Sequence, residues 1–436
     1  MVTSMSAGDD GNMVATELEP AAAVTDPREF AKPENIHKVL TSLRAKDPVH
    51  WVEPEAFDPF WLITKHADIL EVEKNANVFR NGDRSTVLVA RDMLDAIEAK
   101  FSSPHLTHSV VNMDGGDHRA YRMLTQAWFM PGNLKKLSDR IRVIARDHVD
   151  RMMDRGGTCD FVEDVALHYP LHVVMEILGV PEKDEGMMLA LTQQLFGARD
   201  PEKSRDAKAM SDPSTALNVF NAVLGDFYAY FDRLTEMRRK NPRDDVATVI
   251  ANPNIDGKPI EKREANSYYV LVATAGHDTT SASTAGALWA LAEAPDQLAR
   301  LKGDPSLIPG LVEEAIRWTT PVKHFMRTAA QDYELRGKQI RAGDWLMLSY
   351  MSANRDEETF DSPFEFQIDR QPNKQLAFGF GPHVCLGQHL ARLEMRILFE
   401  ELLPRLETVK LAGQPKWTQS AFISGPKTLP IIFTAA

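Results

Sequence analysis

The chain has 436 residues, 43% hydrophobic and 26% charged, values of an ordinary globular protein that exclude a disordered or fibrous one. Lysine plus arginine number 50 against 62 acidic residues, a formal net charge of −12, which disfavours a dedicated binder of nucleic acid or of an anionic membrane. The two cysteines, Cys159 and Cys385, make no CxxC pair, which excludes a cysteine-rich zinc site or disulfide framework and points to a reducing compartment.

Residues 1–23 are small, polar and acidic and read as a flexible tail, with neither the basic start nor the apolar stretch of a signal peptide. From residue 24 onward the chain reads as globular. Its length suggests about three domains at roughly 150 residues each, yet no repeat, linker or composition break divides it. Strand-like pieces occur at 48–53 and 60–64, the second followed by a helix start at His66. Apolar residues three and four apart predict helices over 134–153, 216–240 and 386–406. Further strand-like pieces fall at 339–340, 345–348 and 429–433. The pattern as a whole predicts a mainly α fold with small β-sheets.

Between 265 and 292 the only formally charged residue is Asp278, beside His277. The run is long enough to span a bilayer. However, His277, Asp278, Thr279, Thr280, Ser281, Ser283 and Thr284 sit at its middle, a costly composition at a bilayer midplane. A long helix through a soluble core is the preferred reading, and an ionisable residue buried within it becomes a functional candidate.

Near the C-terminus, Gly379, Gly381 and Gly387 allow sharp backbone bends and close approach to a flat ligand. Cys385 stands at the start of the last amphipathic helix, where the macrodipole is expected to lower a thiol pKa. Cys385 therefore reads as a metal ligand or nucleophile, against the alternative of a buried structural cysteine. A dinucleotide-binding GxGxxG fails, because its third glycine would fall at Val384.

The spacing of Phe378, Gly381, His383, Cys385 and Gly387 resembles the haem-binding signature of the cytochromes P450. Three further segments resemble motifs of that family in the right order. Glu314 and Arg317 fit its ExxR motif, Ala275 to Thr280 its oxygen-activating helix segment, and His118 and Arg122 its HxxxR segment. The likeness covers roughly 27–436 and implies one large domain, 24–436, instead of three. The segments Tyr169 to Met175, Leu178 to Glu182, Ala273 to Thr280, Pro321 to Lys323 and Phe325 to Ala329 resemble most closely the bacterial members that hydroxylate α-terpineol and related terpenes.

The resemblance implies that Cys385 is the thiolate ligand of the iron of heme b (iron protoporphyrin IX), with Cys159 a bystander. It implies that His118, Arg122, Arg327 and His383 bind the haem propionates, which need buried cationic or hydrogen-bonding partners. Glu314 and Arg317 take a structural role, with Arg370 or a neighbour as a third member. Asp278 and Thr279 match the acid–alcohol pair that delivers protons during O2 activation, although Thr279 could equally bond back to a helix carbonyl. The helix is expected to distort there. His277 either lines the proton path or packs as a hydrogen-bonded core residue.

Matching positions place Leu271, Thr274, Ala275, Val322, Phe325 and Phe422 at an apolar substrate pocket. Its roof would come from 82–110 and from 195–215, a charged segment with Gly197, Ser204, Ser211 and Pro213 that reads as a mobile lid. Electrons would come from a 2Fe–2S ferredoxin and its reductase, docking on Arg119, Lys135, Lys136, Arg140 and Arg392. The implied function is a cytoplasmic, monomeric monooxygenase that inserts one oxygen atom of O2 into a C–H bond of a small cyclic terpene or alkyl-aromatic hydrocarbon. A haem-based ligand sensor and a peroxide-driven peroxygenase are the alternatives.

Overall fold

Residues 19–196, 206, 212–253, 255 and 257–436 are described by the structure, a computed structural model. The first helices are α1 (Pro20–Thr25), α2 (Pro33–Lys46), α3 (His66–Lys74), α4 (Arg91–Phe101) and α5 (Gly115–Gln126). There follow α6 (Pro131–Met153), α7 (His168–Leu178), α8 (Glu185–Phe196), α9 (Pro213–Lys240) and α10 (Val246–Ala251). The last are α11 (Lys262–Glu293), α12 (Pro295–Gly303), α13 (Ile308–Thr319), α14 (Tyr350–Ala353) and α15 (Gln388–Leu402).

The strands are short: β1 (Val49–Val52), β2 (Phe60–Ile63), β3 (Phe79–Arg80), β4 (Thr158–Asp160), β5 (His324–Ala329) and β6 (Tyr333–Leu335). The rest are β7 (Lys338–Ile340), β8 (Trp345–Ser349), β9 (Leu406–Leu411), β10 (Lys416–Trp417), β11 (Pro426–Thr428) and β12 (Pro430–Ala435). The fold is mainly α with small sheets in a single domain, so the three-domain prior from length does not hold.

Helix α11 is the axis of the core. It packs on α7, α13 and α9, while α6 packs on α15. Its apolar residues are buried almost all round, from Tyr268 and Tyr269 to Leu288 and Leu291, as expected of a helix enclosed on every side. Its hydroxyls fold back on the ladder: Thr274, Thr279 and Thr280 donate to the carbonyls of Val270, Ala275 and Gly276 at 2.8, 2.9 and 3.0 Å. The helix nevertheless runs uninterrupted through 275–280, where the sequence predicts a distortion. Among the described residues no helix is long and apolar enough to cross a membrane.

The main sheet has the order β1-β2-β8-β5-β3. β2 and β8 are parallel and the other pairs antiparallel. Successive side chains of a strand alternate in direction, so β5 presents Phe325 and Arg327 on one face and His324 and Met326 on the other. β4, β12 and β9 form a second sheet.

Other expectations change in detail. Residues 20–23 read as tail from the sequence but lie in α1, with Ala23 and Val24 buried against the first sheet's core; residues 1–18 lie outside the described residues. The helix expected over 386–406 spans only Gln388–Leu402, and Leu406 already begins β9. Pro213, expected in a mobile lid, opens α9, whose N-cap Asp212 accepts the amide hydrogens of Ser214 and Thr215. Residues 197–205 and 207–211 of that lid, with Gly197, Ser204 and Ser211, lie outside the described residues.

Candidate active site

Cys385 sits on a loop between a single 3₁₀ turn, Gly381–His383, and α15. Its amide donates to the carbonyl of Phe378 at 2.8 Å, which closes the loop on itself. The loop lies against the end of α3. Gly381 has φ +70°, and a Cβ there would stand 2.5 Å from the carbonyl oxygen of Glu73, so only glycine fits.

Cys385 is an exposed residue of the loop. Desolvation by the surrounding loop nevertheless raises its pKa, against the opposing pull of the Gly387 amide, Arg122, Arg392 and the Gln388 amide. The lowering expected from the helix start is present in the amides of Gly387 and Gln388, but desolvation outweighs it. Cys159 lies on β4 paired with Ile431, and burial pushes its thiol up to about 12.

Cationic and imidazole groups gather about this loop. Arg122 on α5 donates from Nη2 to the carbonyl of Val384 at 2.7 Å. One turn earlier on α5, the ring of His118 lies 4.1 Å from that of His383. His118 is buried, its Nε2 has no partner among the described residues, and desolvation, then His383 and Arg122, bring its pKa down to about 4. His383 stands 3.7 Å from Asp114. Burial would raise the Asp114 carboxyl, but the nearby His383 ring and hydrogen bonds from the amides of Asn81 and Gly82 hold it below its usual value.

Arg327 is not a free cation. It donates to Glu73 at 3.2 Å and to the carbonyl of Met326 at 2.9 Å, and the hydroxyl of Tyr350 donates to the same oxygen of Glu73 at 2.7 Å. Burial raises the Glu73 carboxyl, and its second oxygen lacks a partner among the described residues. Glu73, Tyr350 and Asp114 are site residues that sequence reasoning missed.

The unpartnered Nε2 of His118, beside Arg122 and His383, can, when it carries its proton, donate to a bound carboxylate. Ala275 is exposed although Ala273, Thr274 and His277 around it are buried, so α11 has one open face. Together with the glycine-lined loop and the exposed cysteine, these residues fit a flat cofactor with a metal and two carboxylates.

Glu314 and Arg317 on α13 are completely buried and joined by two hydrogen bonds of 2.7 Å. Arg370 reaches Glu314 at 3.0 Å, and Gln367 and Asn373 add bonds of 2.9 and 3.1 Å. Arg317 also donates to the carbonyls of Asn354, Pro363 and Glu365. The network thus ties α13 to the segment that leads into the cysteine loop.

On α11, Asp278 accepts a hydrogen bond from Gln193 of α8 at 3.2 Å. Beside it lies a cavity of about 30 Å³ lined by Gln193, Phe196, Asp278, Ser281, Gly425 and Lys427, with room for about one or two waters. His277 is fully buried with Nδ1 3.0 Å from the Ala273 carbonyl, while its Nε2 has no partner among the described residues. Val322, Phe325, Phe422 and Leu271 are half-buried, and the rings of Phe325 and Phe422 meet at 5.5 Å. Thr274 is buried with its hydroxyl committed to Val270. Of the basic residues, Arg119, Lys135 and Lys136 are exposed, whereas Arg140 pairs with Glu176 and Arg392 with Glu313.

The family model described as Cytochrome P450 matches residues 73–304 and 306–433. The chain belongs to the cytochrome P450 family and is a monooxygenase of that fold, a class built round a haem-thiolate centre. It is 48% identical over 418 residues to Cytochrome P450-terp of a Pseudomonas species, covering 95% of this chain and 97% of that one. It is 32% identical to a steroid C26-monooxygenase of Mycolicibacterium smegmatis, covering 91% and 90%. Among solved structures, CYP108D1 of Novosphingobium aromaticivorans superposes with a TM-score of 0.88 at 47% identity, covering 95% of this chain and 98% of that one. CYP268A2 of Mycobacterium marinum, in complex with pseudoionone, gives 0.85 at 31%, covering 95% and 100%.

Proposed function

We propose that Cys385 holds the iron of heme b, that His118, Arg122, Arg327 and His383 receive its propionates, and that the substrate is a small cyclic hydrophobic molecule, a terpene or an alkyl-aromatic hydrocarbon. The observation that carries this reading is the buried, unpartnered Nε2 of His118 beside Arg122 and His383, at the loop that bears the exposed cysteine. The bound haem supplies the O2 chemistry, in which one oxygen atom enters a C–H bond and the other leaves as water.

The chain's own groups bind, orient and move protons. The amides of Gly387 and Gln388 and the charges of Arg122 and Arg392 stabilise the thiolate of Cys385. The hydroxyl of Thr279, which donates to Ala275, holds a water at the open face of α11. The carboxylate of Asp278, steadied by Gln193, passes protons inward from the adjoining cavity. Val322, Phe325, Phe422, Leu271 and Ala275 exclude bulk water from the reacting bond.

The relative carrying the name P450-terp and the pseudoionone complex support a small, terpene-like substrate. A 2Fe–2S ferredoxin supplies electrons at the face of Arg119, Lys135 and Lys136, and the protein works as a monomer in the cytoplasm. The test is a ferric spin-state titration. Monoterpenes, terpene alcohols and alkylbenzenes should convert the purified haem protein to high spin. If only long-chain acids or sterols do so, the substrate class is wrong; if Cys385→Ser keeps full turnover, the ligand is wrong.

A further inference from the structure

Lys323 lies in the short link between α13 and β5. It is buried, and no carboxylate among the described residues pairs with it. Its Nζ instead donates to the carbonyl of Ser420 at 2.7 Å and to that of Ile423, and lies 4.9 Å from the centre of the Phe30 ring.

The main chain follows the same partners. Lys323 donates its amide to the Phe422 carbonyl at 2.9 Å, Ser424 donates to Pro321 at 2.8 Å, and Val322 bridges Ile423. Inside the turn, Ser420 Oγ accepts the amides of Phe422 and Ile423 at 3.2 and 3.1 Å. Residues 420–424 are therefore a turn closed round one amine, with Phe422 projecting onto Phe325 at 5.5 Å and His324 at 5.8 Å. His324 binds the opposite wall: its Nε2 accepts the amide of Leu88 at 3.3 Å, while the ring also bonds the Ala421 carbonyl.

Burying an amine without a counter-ion is costly, and here burial alone pulls the Lys323 pKa down to about 7. An apolar side chain of the same length would fill the space without that cost. What it lacks is the set of donors that draws two carbonyls to one point.

We propose that Lys323 is a positioning residue for substrate selection: by gathering the carbonyls of Ser420 and Ile423 it sets how far Phe422 projects toward Phe325, and with that the ring size the pocket admits. This inference rests on the assignment of Phe325 and Phe422 to the substrate pocket.

The experiment compares the haem-loaded protein with Lys323→Met, Phe422→Ala and the double variant. Ferric spin-state titrations use mono-, bi- and tricyclic hydrocarbons, and the ferrous–CO spectrum and thermal unfolding report on integrity. Lys323→Met, which removes both hydrogen bonds, should keep the thiolate CO spectrum and shift relative affinity toward bulkier rings by about tenfold. Phe422→Ala should shift it the same way, and the double variant no further than Phe422→Ala alone. Lys323→Gln, which keeps a donor, should recover part of the native preference, and it carries the comparison if Lys323→Met fails to load haem.

An unchanged preference in the Lys323 variants, or effects of Lys323→Met and Phe422→Ala that simply add, overturns the inference while leaving the pocket in place. A Phe422→Ala variant with native preference overturns the pocket assignment, and the inference with it.

Discussion

Replacing Glu314 by glutamine should cost this protein much of its stability at neutral pH. The carboxylate is completely buried and accepts hydrogen bonds from Arg317, Arg370, Gln367 and Asn373. Burial by itself would raise its pKa, but the bonds and charge of Arg317 outweigh that and hold it below 4.5. Glutamine removes the negative charge and turns one acceptor into a donor facing Arg317. Two buried guanidinium groups then share no anion. Breaking a buried ion pair from one side costs roughly 3–5 kcal/mol, about two to four orders of magnitude in the folded-to-unfolded ratio. Because the folded pKa is depressed, the contribution of Glu314 is complete above its unfolded value near 4.5 and is lost as the pH falls through the folded value. Urea unfolding of both proteins at pH 7 and in mild acid reads the difference directly. A loss under about 1 kcal/mol at pH 7, or a gap that widens on acidification, would refute the reasoning.

Glu394 should behave in the opposite way. Both its oxygens are buried without partners among the described residues, and burial raises its pKa far above the usual value. Burial favours the neutral acid, so stability drops as pH climbs past the unfolded pKa, and Glu394→Gln should raise the melting temperature more at pH 8 than at pH 5; an equal gain at both would exclude this. Gly310→Ala would place a methyl carbon 2.1 Å from the backbone oxygen of Ile368, and should cost about 1–3 kcal/mol in urea unfolding. Thr279→Ala should keep substrate binding yet divert electrons to hydrogen peroxide; tight coupling to product in an oxygen-electrode and peroxide assay would remove Thr279 from proton handling. His118→Ala should speed haem transfer to an excess of apomyoglobin, whereas Arg119→Ala, altered at an exposed position, should not; equal rates would detach His118 from the propionates.

The long helices were legible because their apolar residues recur with a helical period, and α11 stood out because one acidic residue interrupts an otherwise uncharged run. β5 was not legible as a strand: it is buried on both faces, so it lacks the alternation that marks a half-exposed strand. The cysteine loop and the Glu314–Arg317 pair were legible through their resemblance to the family's motifs; spacing alone puts the pair on one helix face, where it reads as a surface salt bridge. Glu73 was invisible for the reverse reason. Its partners Arg327 and Tyr350 are more than two hundred positions away, and in α3 it looks like any solvated glutamate. Lys323 likewise passes for a surface charge until the 420–424 turn is seen folded over it. At Cys385 the spacing showed the helix start that lowers a thiol pKa, but not the desolvation by the folded loop that outweighs it.

The tight seat of Gly381 on the carbonyl of Glu73 also bears on recombination between relatives. Those two segments stand some three hundred positions apart in the gene product, yet they meet main chain to main chain, so no side-chain change can relieve a mismatch. A chimera whose crossover separates them would inherit each from a different parent. Viable hybrids should therefore be enriched for crossovers that keep both from the same one.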